Sequence, residues 1–183
     1  MHFRMLLAAV AFCTSGAVCA DSLDINLNND TVQGDYATKW RTAEFSIGGL
    51  YNNDRNDWFA DAGLLAYGEK DTPQARYEAG LGGRIYAASV SNNDILALGL
   101  GGQFRFFPGN GPIAIGGYFY YAPDVVTFMD GKKFWEGGLR VEYEIIKKTA
   151  SIYLGTRKVR ADLDDGSHET VDSGGNVGVK IVF

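Results

Sequence analysis

In segment after segment of this chain, apolar side chains alternate with charges and glycines, and no other feature limits the fold so sharply. A period of two belongs to the β-strand, whose successive side chains point to opposite faces. One face carries Tyr77, Ala79, Leu81 and Ile85; then Leu96, Leu98, Leu100, Phe104 and Phe106; then Ile113, Ile115, Phe119 and Tyr121. It continues through Trp135, Leu139, Val141, Tyr143 and Ile145 to Val177, Val179, Ile181 and Phe183. The opposite face carries Arg76, Glu78, Arg84, Gln103, Arg105, Glu136, Arg140, Glu142, Glu144, Arg157, Asn176 and Lys180. Nearer the N-terminus, Phe45, Ile47 and Tyr51 oppose Glu44 and Ser46, and Leu23, Ile25 and Leu27 oppose Asp24 and Asn26.

Ten segments read as strands: residues 22–28, 31–39, 42–51, 57–67, 75–87, 95–106, 112–121, 134–145, 150–159 and 171–183. Polar, turn-forming residues separate them, among them Asn29-Asp30, residues 53–56, Asn92-Asn93, residues 108–111 and Lys147-Lys148. The longest connections are expected at residues 122–133 and 160–170. No stretch shows a helical period, and no boundary divides the chain after residue 20. An even count of hairpin-linked strands returns both ends to one side of a membrane. Leaving residues 21–40 outside the wall would give eight strands and keep the parity.

Period two alone fits a soluble barrel with an apolar inside as well as a membrane barrel with an apolar outside. Glycine decides between them. Gly48, Gly63, Gly80, Gly82, Gly99, Gly101, Gly116, Gly138, Gly155 and Gly178 share the charged face. On a solvent face they would only weaken strands, whereas in a narrow lumen they make room for long Arg and Glu side chains. After the leader no apolar run approaches the ~20 residues of a membrane helix, so a chain that spans must do so as a closed barrel. Most segments reach the ~9–11 residues of a tilted transmembrane strand, and aromatics gather near their ends in the manner of interfacial girdles. The expected fold is all-β: an antiparallel up-and-down transmembrane β-barrel, of ten strands or alternatively eight.

Residues 1–20 have the layout of a cleaved signal peptide: His2 and Arg4, an apolar run from Met5 to Phe12, then Val18-Cys19-Ala20 as a small-x-small site. The mature barrel is then residues 21–183. Val18 departs from the small residue a lipidation signal requires before Cys19. Both cysteines, Cys13 and Cys19, fall in this leader, so the mature chain has no thiol chemistry. The full chain's net charge of −5 offers no basic footprint for nucleic acid.

Residues 22–31, the segment Tyr120-Tyr121-Ala122-Pro123-Asp124-Val125, and Arg140-Val141-Glu142-Tyr143 together resemble the YfaZ family of bacterial outer-membrane proteins. The resemblance implies an outer-membrane location and a barrel, and says little of activity. The closing strand Val177, Val179, Ile181, Phe183 is similar to the C-terminal signal read by the barrel-assembly machinery, which with membrane lipid and lipopolysaccharide makes up the expected partners. Oligomeric state is open.

The candidate site is the lumen charge network Glu44, Arg76, Glu78, Arg84, Arg105, Glu136, Arg140, Glu142, Glu144, Arg157 and Lys180. It reads either as a mutually neutralised core, since buried charges must be paired, or as the lining of a binding or conducting path. Lys158 and Arg160 are candidates for contact with lipopolysaccharide phosphates. The loop holding Ser167 and His168 lacks the supporting geometry of a hydrolase, and no enzyme, cofactor or metal is expected. Asp162, Asp164, Asp165 and Glu169 are the weak candidates for a divalent cation there. The apolar loop at residues 122–133 is expected to fold over the mouth or to present a surface to a partner. The leading functions are a narrow porin-like channel or a structural barrel; the alternative is a surface-loop binding protein.

Overall fold

The computed structural model describes residues 20–91, 93–164 and 166–183. The expected leader lies outside them except for the backbone of Ala20. Eleven strands form in order: β1 Ala20–Leu27, β2 Thr31–Trp40, β3 Ala43–Asn52, β4 Trp58–Asp71, β5 Ala75–Val90, β6 Asn93–Pro108, β7 Ile113–Ala122, β8 Thr127–Met129, β9 Gly131–Ile146, β10 Ala150–Leu163 and β11 His168–Val182. One turn of 3-10 helix, Asp124–Val126, precedes β8.

Ten of these strands make the wall. Each pairs antiparallel with the next, and β1 pairs with β11 from Ser22↔Val182 to Leu27↔Val177, which closes the barrel. The first hairpin, β1 and β2, is therefore part of the wall, and the barrel has ten strands rather than eight. Asp21 and Phe183 exchange both backbone hydrogen bonds, at 2.9 and 2.8 Å, so the chain's two ends meet at one rim. We call this the terminal rim and the opposite one the loop rim. The turns use residues that tolerate left-handed backbone: Gly109 and Asn110 sit at φ 63° and 53° between β6 and β7, and Asn56 at 56° before β4.

Parity is realised as read. Leu81, Leu100, Leu139 and Leu154 stand outward and more than 60% exposed, within a belt that includes Ile25, Ile47, Ile85, Ile115, Val141 and Val177. Arg76, Glu78, Arg84, Glu136, Glu142, Glu144 and Arg157 are buried inside. Exposed aliphatic side chains over a whole circumference would be untenable in water; against hydrocarbon they are the required surface.

Two expectations about connections are corrected. The supposed loop 160–170 is mostly strand, because β10 and β11 stay paired to Asp162↔His168 past a bulge near Val159/Arg160. The bulge turns the consecutive Val171 and Asp172 both inward, which a simple alternation does not foresee. The supposed loop 122–133 contains β8, which pairs with β6 at Ile95–Ala97.

Candidate functional site: the lumen

Inward-facing charges find partners both on the paired strand and across the lumen. Near the terminal rim, Arg105 donates from Nη2 to Glu142 Oε2 at 2.6 Å and from Nη1 to Glu78 Oε2 at 2.9 Å. Arg140 joins the same Glu142 at 2.7 Å and Asp24 at 3.0 Å. Arg76, fully buried, lies 3.5 Å over the ring of Phe107 and pairs with Glu144 at 2.5 Å. At mid-height Arg84 pairs with Glu136 at 3.1 Å and Asp61 at 3.5 Å, and the Tyr86 hydroxyl donates to Glu136 at 2.8 Å. Toward the loop rim Arg157 binds Asp172 Oδ2 at 2.6 Å and the Thr31 hydroxyl at 2.8 Å, and also donates to Asn26 and Gln33. Shared carboxylates and forked guanidiniums give these buried ions the several hydrogen bonds they need to offset desolvation.

The glycines on this face make the packing possible. A Cβ on Gly178 would collide with the Tyr153 ring, whose hydroxyl bonds Asp24 and Asn26. A Cβ on Gly48 would strike Asp35 Oδ1 and come within 2.8 Å of Asp61 Oδ2.

The lumen is not polar throughout. At the loop rim Phe59, Tyr86 and Phe134 pack with centroids 4.7–6.2 Å apart, inside a buried apolar cluster that includes Val90, Ile95, Val159, Leu163 and Val171. Val126, just before β8, packs on this cluster, while Val125, Phe128 and Met129 face outward. The loop thus both covers the mouth and exposes an apolar crest. Below the cluster lies a polar cavity of about 90 Å³, lined by Asp35, Ser46, Arg84 and Tyr118 at depth and by Lys39, Tyr67 and Lys180 toward the terminal rim. By the volume one water needs, that is room for a handful of waters.

Of the eleven charges expected in the network, nine engage in ion pairs with other lumen groups. Glu44 meets an amide, Gln103 Nε2 at 2.5 Å, and no arginine. Lys180 is half-buried with no carboxylate in ion-pair reach among the described residues. Arg157 is buried at the hub just described. Lys158 does face outward, 5.8 Å from the Trp135 ring, and Arg160 is held by Asp162 at 3.0 Å. The same Asp162 oxygen takes His168 Nδ1 at 2.8 Å, with the imidazole exposed. Asp164 is exposed, Glu169 is half-buried, and Asp165 lies outside the described residues. Among the described residues no three acidic, histidine or cysteine side chains converge as a metal cage. Val179, Ile181 and Phe183 line the outer face of β11. At the terminal turn Lys148 donates to Asp71 and Glu69, which hold its ammonium pKa above the ordinary lysine value.

The profile of the family described as "YfaZ precursor" matches residues 1–183. The chain belongs to the YfaZ family. Among curated proteins none matches it. Among solved structures it is similar to the outer membrane channel DcaP of Acinetobacter baumannii, at 12% identity and a TM-score of 0.39, over 87% of this chain and 54% of that one. It is also similar to Neisserial surface protein A, at 11% identity and a TM-score of 0.34, over 90% of this chain and 94% of that one. This YfaZ chain therefore spans about half the length of DcaP.

Asp24, Asp61 and Asp172 also belong to the network, although the sequence reading did not count them in it. For two of them the parity was available: Asp24 opposes Leu23 and Ile25, and Asp61 alternates with Ala60 and Ala62. The signal would have been to count every inward carboxylate, aspartates included.

Proposed function

We propose that this YfaZ protein is a non-enzymatic barrel of the bacterial outer membrane, exported by residues 1–20, with the termini on the periplasmic side and the loop rim outside. Its lumen serves as a structural core and does not conduct. The observation that carries this reading is the Phe59–Tyr86–Phe134 cluster, which fills the loop end of the lumen with close-packed apolar side chains. Below it, each of the five lumen arginines is tied to carboxylates. A hydrated ion meets a dry, aromatic stopper instead of a path.

Planar-bilayer recording tests it. The wild-type protein is expected to give no unitary steps, whereas the double variant Phe59→Ala/Phe134→Ala, which empties the stopper, gives small ones. Regular steps from the wild type would restore the narrow-channel reading.

A second reading, binding at the loop rim, is favoured by the exposed crest of Val125, Phe128 and Met129 and by the outward cation Lys158. The partner chemistry is a phosphorylated glycolipid such as lipopolysaccharide. Deleting residues 124–132 is expected to abolish retention on immobilised lipopolysaccharide while the barrel still shows heat-modifiable migration; unchanged retention refutes it.

A further inference from the structure

The polar cavity below the stopper is lined by charges of both signs, several of which do not pair. Its three arginines are engaged: Arg84 with Glu136 at 3.1 Å, Arg105 with Glu142 at 2.6 Å and Arg140 with Asp24 at 3.0 Å. Its two lysines are not. Lys39 holds its ammonium 3.9 Å from the centre of the Tyr67 ring, and Lys180 has no carboxylate in ion-pair reach among the described residues. Two lining carboxylates are likewise without a cation. Glu44 stands directly opposite Lys39 yet accepts from Gln103 Nε2 at 2.5 Å instead. Asp35 has no cation in ion-pair reach among the described residues, and its Oδ1 is sealed without a hydrogen-bond donor. Asp61, which approaches Asp35 across Gly48, turns to Arg84 at 3.5 Å.

The register explains why these charges stay apart. Asp35 on β2, Asp24 on β1 and Lys180 on β11 stand in one row, paired Asp35↔Asp24 and Asp24↔Lys180. Asp24 separates the other two, and its own carboxylate is taken by Arg140 and by the Tyr153 hydroxyl, which donates at 2.5 Å. With strands about 4.8 Å apart, the backbones at Asp35 and Lys180 lie about 10 Å from each other, and both side chains border the cavity. Unmatched charges in a buried space are costly. Opposite signs held apart across a cavity suit an occupant that carries both, which neither a simple cation nor a simple anion does.

We propose that this cavity is a binding cup for a small zwitterion of the amino-acid type, with the ligand's ammonium on the Asp35 carboxylate and its carboxylate on the Lys180 ammonium. Charge-assisted hydrogen bonds at the two ends fix its direction. Lys39 stands nearer the terminal rim on β2, at the entrance, where it attracts the carboxylate end. Lys39, Tyr67 and Lys180 on that side are half-buried, whereas Arg84 at the floor is buried, so the cup is entered from the terminal rim. The volume of about 90 Å³ confines the occupant to the smallest amino acids, glycine or alanine. Because the aromatic stopper closes the other end, ligand enters and leaves by one door and the barrel stays sealed.

Saturation-transfer NMR on the folded full-length protein in detergent micelles tests the cup, with glycine and L-alanine as probes and acetate and methylammonium as the two half-ligands. Saturable transfer to glycine is expected, with binding at least about tenfold tighter than either half, since each half forgoes one charge-assisted contact. Lys180→Met keeps the length of the stem, removes the ammonium and should weaken glycine binding by about tenfold or more; Asp35→Asn should do the same. Because Lys180 holds no ion pair among the described residues, Lys180→Met covers the case in which Asp35→Asn does not fold. Lys70→Met, exposed and outside the cavity, is the control and should bind as the wild type does. Absence of saturable transfer to glycine and alanine in the wild type overturns the site in favour of a cavity filled by water. Acetate binding as tightly as glycine overturns it in favour of a plain anion site. Undiminished glycine binding by folded Lys180→Met or Asp35→Asn overturns it as well. Bilayer silence is read independently, so failure here leaves the sealed-barrel reading standing.

Discussion

Replacing Arg157 by methionine should be among the most damaging single changes available in this protein. The guanidinium is 2% exposed and its Nε, Nη1 and Nη2 reach Asp172, Asn26, Gln33 and Thr31. It therefore ties β10 and β11 to β1 and β2 across the closing seam. Methionine fills much of the volume but strands the Asp172 carboxylate, itself 3% exposed and left with only Asn28 at 3.1 Å and Thr31 at 3.4 Å. Breaking a buried pair from one side costs about 3–5 kcal/mol. Replacing both partners, Arg157→Met/Asp172→Leu, removes the stranded charge and leaves only the neutral groups short of a donor. At about 1 kcal/mol for each such group, the double variant should lose about 1–3 kcal/mol, less than the single. Equilibrium urea unfolding in lipid vesicles, followed by tryptophan fluorescence and by heat-modifiable migration, measures all corners of this cycle. Two results would refute the reasoning: an Arg157→Met variant within about 0.5 kcal/mol of wild type, or a double variant as unstable as the sum of its singles, since contacting residues in one network should not add.

Gly178→Ala places a methyl against the Tyr153 ring and should cost about 1–3 kcal/mol as overpacking, read as a lower urea midpoint; Tyr153→Phe/Gly178→Ala should recover little of it, because the ring and not only the hydroxyl is in the way. Leu81→Arg, on the outward belt at 72% exposure, should cost about 2–4 kcal/mol in a bilayer; a neutral result would argue that this face meets water. Lys148→Ala removes two ion pairs that are half exposed, and its effect should stay below about 1 kcal/mol and shrink with added salt. Mass spectrometry of the protein recovered from outer membranes should find Asp21 as its first residue, and an intact leader would refute the assigned cleavage.

Parity carried most of the fold, because a strand has only two faces and the charges kept to one of them. It also carried the inventory of the lumen as far as arginine and glutamate were counted. The pairing inside did not follow, since which inward residues face one another across a barrel depends on its stagger, and no local pattern encodes that. Arg157 illustrates the limit: its parity was plain, yet its depth depends on β10 and β11 continuing past the bulge at Val159/Arg160. Phe134 illustrates another. Beside Trp135 it reads as one of a pair of interfacial aromatics, whereas alternation sends Trp135 to the outside and Phe134 into the stopper. The Asp35–Asp61 cluster was hidden for a third reason. Neither carboxylate is unusual in its own strand, and only the missing side chain of Gly48 between them brings the two together.

The ladder that joins Asp21 to Phe183 bears on how quickly this barrel can form. Nine of the ten wall ladders link successive wall strands, and one links the first to the last. Local hairpins form fast, while a contact spanning the whole chain must wait for loop closure. Until β11 arrives, the molecule is a curled sheet with two bare edges, in which β1 pairs with β2 alone and Asn26 is not yet seated against Arg157. Closure of this seam should therefore set the folding rate, and changes along β1 and β11 should slow folding more than equal losses of stability in the β4–β5–β6 hairpins.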